Sequence, residues 1–205
     1  APAHTFGVMG MDVGYNLVMT NINQNDAHWE LADQGANDLL LASQVSVQKG
    51  LPYSIGLGAT LTHLHDYGLW GVDLQLKFAF AEGYEVVPDI GMRFRVGSLL
   101  GSRELSMLTT GTDLIMSKTF GVAGVMQMTP FAAYAFTLVR SSSMVVGVFE
   151  DNSVEPETEV LKDHWGFVHR GLAGMRFTFS FVDLGFEAAI GAKTQTYALR
   201  LAFVI

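Results

Sequence analysis

The side chains best suited to chemistry fall in the connections between candidate strands. His63, His65 and Asp66 share one connection; Ser141, Ser142 and Ser143 open another that Asp163 and His164 close; His28 lies in a third. A histidine beside an acid can serve as an oriented general base, with a serine hydroxyl or water as nucleophile. His63 and His65, two residues apart on an extended chain, share a face, and with Asp66 they offer ligands of the kind that hold a transition metal, although no third ligand is evident. The acidic run Glu150, Asp151, Glu155, Glu157 and Glu159 would attract divalent cations but lacks EF-hand spacing. Solvated loop residues and headgroup contacts account for all of these, so no catalytic residue, metal ligand or cofactor is assigned.

The segments that carry these connections alternate with period two. Met9, Met11, Val13, Tyr15, Leu17 and Met19 oppose Gly10, Asp12, Gly14 and Asn16, and Trp70, Val72, Leu74, Leu76, Phe78 and Phe80 oppose Gly71, Asp73, Gln75 and Lys77. Successive strand side chains point to opposite faces, so each segment has one bulky apolar face and one small or polar face. The pattern predicts about ten strands, near 5–19, 38–49, 53–64, 68–81, 85–97, 110–120, 124–140, 164–180, 183–191 and 194–205. Tight turns at Gly50-Leu51-Pro52, Glu82-Gly83-Tyr84, Gly121–Gly124 and Phe181-Val182 alternate with longer connections, the rim asymmetry of outer-membrane barrels. Pro88 and Pro130 each predict a bulge or bend. Leu114, Ile115 and Met116 in sequence blur the facing of the sixth strand.

Composition restricts the class. The 205 residues suit a single domain spanning 1–205, with no linker or second core. Hydrophobic residues make up 49% and mean hydropathy is +0.28, yet no apolar run is long enough for a spanning helix. Only 16% of residues are charged and 22 are glycine, a poor match to a soluble surface. A net charge of −8 without a basic cluster excludes a nucleic-acid footprint. The absence of cysteine suits an exported protein, and the opening Ala1-Pro2-Ala3 is read as lying at or beyond a cleavage site.

The polar faces hold Asp12, Asp73, Lys77, Asp89, Arg93, Arg95, Arg170, Arg176, Glu187 and Arg200 among many small residues. Both signs of charge on neighbouring strands suit an ionic lumen better than a soluble exterior. A register centred on Gly83 pairs Asp73 with Arg93 and Lys77 with Asp89, and one centred near Phe181 sets Arg176 beside Glu187. The apolar faces carry aromatics in two bands: Tyr53, Phe78, Phe80, Phe177, Phe179 and Phe203 toward the short turns, and Tyr15, Trp70, Trp165, Phe167 and Tyr197 toward the longer connections, as interfacial girdles would be.

Tyr197, Leu199, Leu201, Phe203 and Ile205 alternate to the last residue, and this segment resembles the C-terminal signal by which outer-membrane proteins are recognised and inserted, with Phe203 third from the end where the motif places a terminal aromatic. The whole chain resembles small bacterial outer-membrane β-barrel proteins. That resemblance implies a closed antiparallel up-and-down transmembrane barrel with both termini periplasmic, and as partners the outer-membrane lipid and lipopolysaccharide, the barrel-assembly machinery and other envelope proteins. The rim residues do not align with the catalytic pattern of the omptin proteases. The expected role is structural or interactive, with a largely plugged lumen; the alternatives are a narrow channel and a rim-located hydrolase.

Overall fold

The computed structural model describes residues 1–22, 39–65, 67–84, 87–101, 105–122, 124–143, 164–192 and 194–205, with only the backbone of 105, 143 and 164. His28, Asp66, Asp163 and the acidic run lie outside the described residues. The strands are β1 (Met11–Ile22), β2 (Leu39–Leu51), β3 (Ile55–Leu64), β4 (Leu69–Ala81), β5 (Asp89–Leu100), β6 (Leu105–Ser117), β7 (Phe120–Val122), β8 (Met126–Ser143), β9 (His164–Phe179), β10 (Val182–Gly191) and β11 (Thr194–Val204). Each pairs antiparallel with its neighbours, β1 pairs with β11, and β6 meets β8 to complete the ring.

β6 and β7 run along β8 in one continuous register, with Ser117 opposite Phe131 and Phe120 opposite Met128. They form one stave interrupted at Lys118 and Thr119, so the closed barrel has ten staves. The interruption faces Pro130, whose nitrogen has no hydrogen for the ladder. Lys118 N–H still donates to the Pro130 carbonyl at 3.2 Å. The sequence span 110–120 thus crosses this break, and the strand proper begins earlier, at Leu105.

The expected first strand is shortened at its start. Residues 5–10 are not strand; they belong to an N-terminal segment, residues 1–10, that folds across the short-turn end before β1 begins at Met11. Gly50 N–H donates to Gly10 carbonyl at 3.1 Å. A Cβ on Gly50 would stand 1.9 Å from the Gly7 carbonyl oxygen, so only glycine lets β2 accept the segment this closely.

Two expected registers are corrected. Across β4 and β5, Asp73 faces Gly97 and Lys77 faces Arg93, rather than Asp73 facing Arg93 and Lys77 facing Asp89. The chain does not turn tightly at Gly83: β4 carries a bulge between Ala79 and Ala81, and β5 resumes only at Asp89. The Asp89 carboxylate accepts the Gly83 N–H at 3.0 Å, tying the longer connection back on itself. Across β9 and β10, Arg176 faces Gly185 and Glu187 faces Gly174, because the hairpin turns at Ser180 and Phe181 with Ser180 left-handed at φ 55°.

Candidate functional site

Alternation turns every stave inside out relative to a soluble domain. Leu74, Phe94, Leu114, Phe186 and Leu199 are exposed on the outer face, whereas Asp12, Asp113, Asp183 and Arg176 are buried on the inner one. An apolar exterior around an ionic interior is stable only with hydrocarbon outside, and a closed ladder leaves no unpaired edge there. The chain is a transmembrane β-barrel of the outer-membrane type. No family model matches it, and no curated protein does. Among solved structures it is similar to a KdgM porin, at 6% identity and a TM-score of 0.45 over 94% of this chain and 98% of that chain. Ail of Yersinia pestis follows at 8% and 0.33 over 96% and 98%, and the N-terminal β-barrel domain of Pseudomonas aeruginosa OprF at 12% and 0.32 over 95% and 97%. The reading of the fold rests on the wall itself.

Inside the barrel, the ten sequence-selected charges lie on the inner parity, and two acids missing from that set organise them. Asp113, on β6, accepts Arg93 Nε at 2.7 Å and Arg95 Nη2 at 2.9 Å. Asp183, on β10, receives Arg176 Nη2 at 2.5 Å, and Asp12 receives the same nitrogen at 3.1 Å. Arg200 completes this second group by bonding Asp12 through Nη2 and, through Nη1, Asn16 and Ser46, each at 3.0 Å. Asp113 sits one residue before the run Leu114-Ile115-Met116 that blurred the parity, and within that run Ile115 is buried on the inner face while Leu114 and Met116 are exposed. Asp183 was hidden by its place beside the turn. Their common signal was spacing: each continues the inner parity of its strand.

The N-terminal segment makes the third group. Lys77 Nζ donates to the carbonyls of Pro2 at 3.2 Å and His4 at 2.8 Å. Ala3 N–H donates to Ser117 Oγ at 2.9 Å, and Thr5 N–H and Oγ1 donate to the Glu82 carboxylate, which also accepts Ser54 Oγ. The nitrogen of Ala1 lies 2.9 Å from Glu187. The Phe6 ring stands 5.8 Å from Lys77 Nζ and 5.7 Å from the Arg176 guanidinium carbon, at cation–π range. Burial first, then Lys77 and Arg176, lowers the pKa of His4 to about 3, so its imidazole is neutral and its Nδ1 has no partner. The segment escaped sequence reading because Thr5 to Val8 alternates as a strand does, although Phe6 and Val8 fall on the parity of Gly10 and Asp12, a reversal of phase that marks it off from β1.

The remaining charges are placed differently. Asp89 closes the β4–β5 connection and joins no ion pair among the described residues. Asp73 lies over Gly97, where a Cβ would stand 2.0 Å from its Oδ1. Arg170 projects inward without an ion pair among the described residues, its Nε buried and unpartnered.

The rim candidates are not assembled into one site. His63 and His65 lie on the outer side of β3 and its following turn, whereas Ser141 pairs with His164 between β8 and β9, on the opposite side of the ring. His63 and His65 do share a face, with ring centroids 5.1 Å apart, and His63 lies 4.5 Å from the Trp70 ring. His65 Nε2 instead meets a serine that sequence reasoning passed over, Ser43, at 2.7 Å, and Ser43 Oγ is 2.7 Å from Tyr15 hydroxyl. No carboxylate orients His65 among the described residues, and none holds three metal-ligating side chains together. His169 also faces outward, against the Phe136 ring at 4.3 Å. Tyr15, Tyr53, Trp70, Phe80, Trp165, Phe179, Tyr197 and Phe203 are exposed, and Phe78 and Phe177 half-buried.

Proposed function

We propose that the protein is an integral outer-membrane barrel that works through its surface and long connections rather than as a conduit, with a lumen closed toward its short-turn end by its own N-terminal segment. The observation that carries this reading is the set of bonds from Pro2, Ala3, His4 and Thr5 to Lys77, Ser117 and Glu82, which together with the Ala1–Glu187 and Gly10–Gly50 contacts ties one strap of chain across a narrow wall. A ten-stave barrel is near the width that side chains alone can fill, and the Asp113 and Asp12–Asp183 groups occupy much of what remains. In this orientation the short-turn end and both termini are periplasmic, the outer girdles sit at the two headgroup levels, and the longer connections meet lipopolysaccharide and envelope partners. The segment from Tyr197 to Ile205 serves recognition by the assembly machinery.

Planar-bilayer recording tests it. The full chain is expected to give no conductance steps above baseline, and a variant lacking residues 1–9 small ones. Steady ohmic conductance of the full chain would overturn the closed-lumen reading.

A further inference from the structure

Direct ion pairing is uneven along the lumen. Arg176 and Arg200 are matched by Asp12 and Asp183. Toward the long-connection end, Arg93 and Arg95 both draw on Asp113, and Arg170 is added to them without a carboxylate of its own. Asp73 makes no ion pair among the described residues, and Glu187 is engaged by the Ala1 nitrogen. Donors of a guanidinium withdrawn from water are costly to leave unmet, and Arg170 has no ion-paired carboxylate among the described residues.

The register brings the unspent donors together. Arg95 faces Gly111, and Gly111 faces Thr137; in the adjacent inward row Asp113 faces Ala135, and Ala135 faces Arg170. Gly111 leaves the wall bare between them: a Cβ there would stand 3.4 Å from both Arg95 Nη2 and Thr137 Oγ1. Arg95 Nε, Thr137 Oγ1 and Arg170 Nε are all buried without a hydrogen-bond partner. Side-chain exposure of Arg95 is 28%, so the patch is reached from the lumen, and the N-terminal segment lies toward the other end.

We propose that this patch is an oxyanion-binding site, in which Arg170, Arg95 and Thr137 hold a phosphate or carboxylate group. Guanidinium forks match the paired oxygens of both groups, and the threonine hydroxyl supplies a further donor. The unmet groups there include two guanidinium N–H donors, which call for an acceptor, and a cation has none to offer. The site does not depend on whether the barrel conducts.

Calorimetric titration of the full-length barrel in neutral detergent, with inorganic phosphate and separately with acetate at constant ionic strength, tests the assignment. Saturable one-to-one binding of either anion is expected, weakened at least tenfold in Arg170→Gln and several-fold in Thr137→Val, and unchanged in Lys49→Gln, which alters a cation on the outer face. Heat-modifiable gel migration establishes that each variant is folded. If Arg170→Gln does not fold, Arg170→Lys, which keeps the charge and loses the fork, is expected to weaken binding several-fold. Absence of saturable binding to the full chain, or equal affinity in the folded Arg170 and Thr137 variants, would overturn the site, whereas the conductance experiment alone bears on lumen closure.

Discussion

Lys77 and Arg93 stand directly opposite one another across the β4–β5 ladder, two cations where a sheet would ordinarily set opposite charges. Each is satisfied elsewhere: Lys77 by the Pro2 and His4 carbonyls, Arg93 by Asp113. Like charges facing each other disfavour pairing unless each has its own partner, so the N-terminal segment and β6 together make this register tolerable.

Lys77→Met should therefore loosen the segment more than the wall. Two buried carbonyls lose a charged donor, at about 1–3 kcal/mol each. In a variant carrying Ala3→Cys, the single thiol of an otherwise cysteine-free chain, labelling by a maleimide should accelerate at least tenfold when Lys77 is replaced. An unchanged rate would show that Lys77 does not hold the segment.

Asp113→Asn should be among the most damaging single substitutions in the lumen. It leaves Arg93 and Arg95 facing an uncharged amide, and breaking a buried pair costs about 3–5 kcal/mol. The urea midpoint of refolded barrel in vesicles should fall accordingly, and much less for Asp73→Asn, which breaks no ion pair among the described residues.

Docking of the segment should weaken in acid. His4 has a pKa lowered on folding from 6.5 to about 3. The unfolded or undocked histidine thus binds protons that the docked one does not, so its contribution is fully present above about pH 6.5 and is lost progressively as pH falls toward 3. Thiol labelling at position 3, with a reagent that tolerates acid, should speed up across that interval. The charged groups that face the segment, Lys77, Arg176, Glu82 and Glu187, are the same in both proteins, so the decisive comparison is His4→Phe, in which the rise should be shallower.

The β4–β5 register can be read from outside without disturbing the lumen. Val72 faces Ser98, so cysteines at 72 and 98 should crosslink readily, whereas cysteines at 72 and 94, neighbours in the register centred on Gly83, should not. The reverse result would restore the tighter turn.

Much of the architecture was legible because the hydrocarbon surroundings write a period of two into each stave: Trp70 to Phe80 and Tyr197 to Ile205 face outward as their parity requires. What was illegible depended on contacts distant in sequence. Nothing local at Gly83 says that Asp89 will bond its N–H, nor that Arg176 will choose Asp12 and Asp183 over Glu187. Ser43 is an ordinary small residue until the β2–β3 pairing sets it beside His65. The N-terminal segment was read as strand because its destination, a row of donors and acceptors on β2, β4 and β6, exists only in the folded wall.

That dependence carries over to assembly. β1 and β11, the first and last strands, zip together at the seam, with Met11 and Ile205 exchanging backbone hydrogen bonds at the short-turn end. The anchors of residues 1–10 lie on staves from both flanks of that seam, Lys77 and Ser117 on one side and Glu187 on the other. In a flat sheet β4 and β10 would stand about 24 Å apart, five strand spacings, too far for Ala1 and Pro2 to reach both, so residues 1–10 come to rest only once the wall has curled, and their docking registers curvature rather than sequence alone.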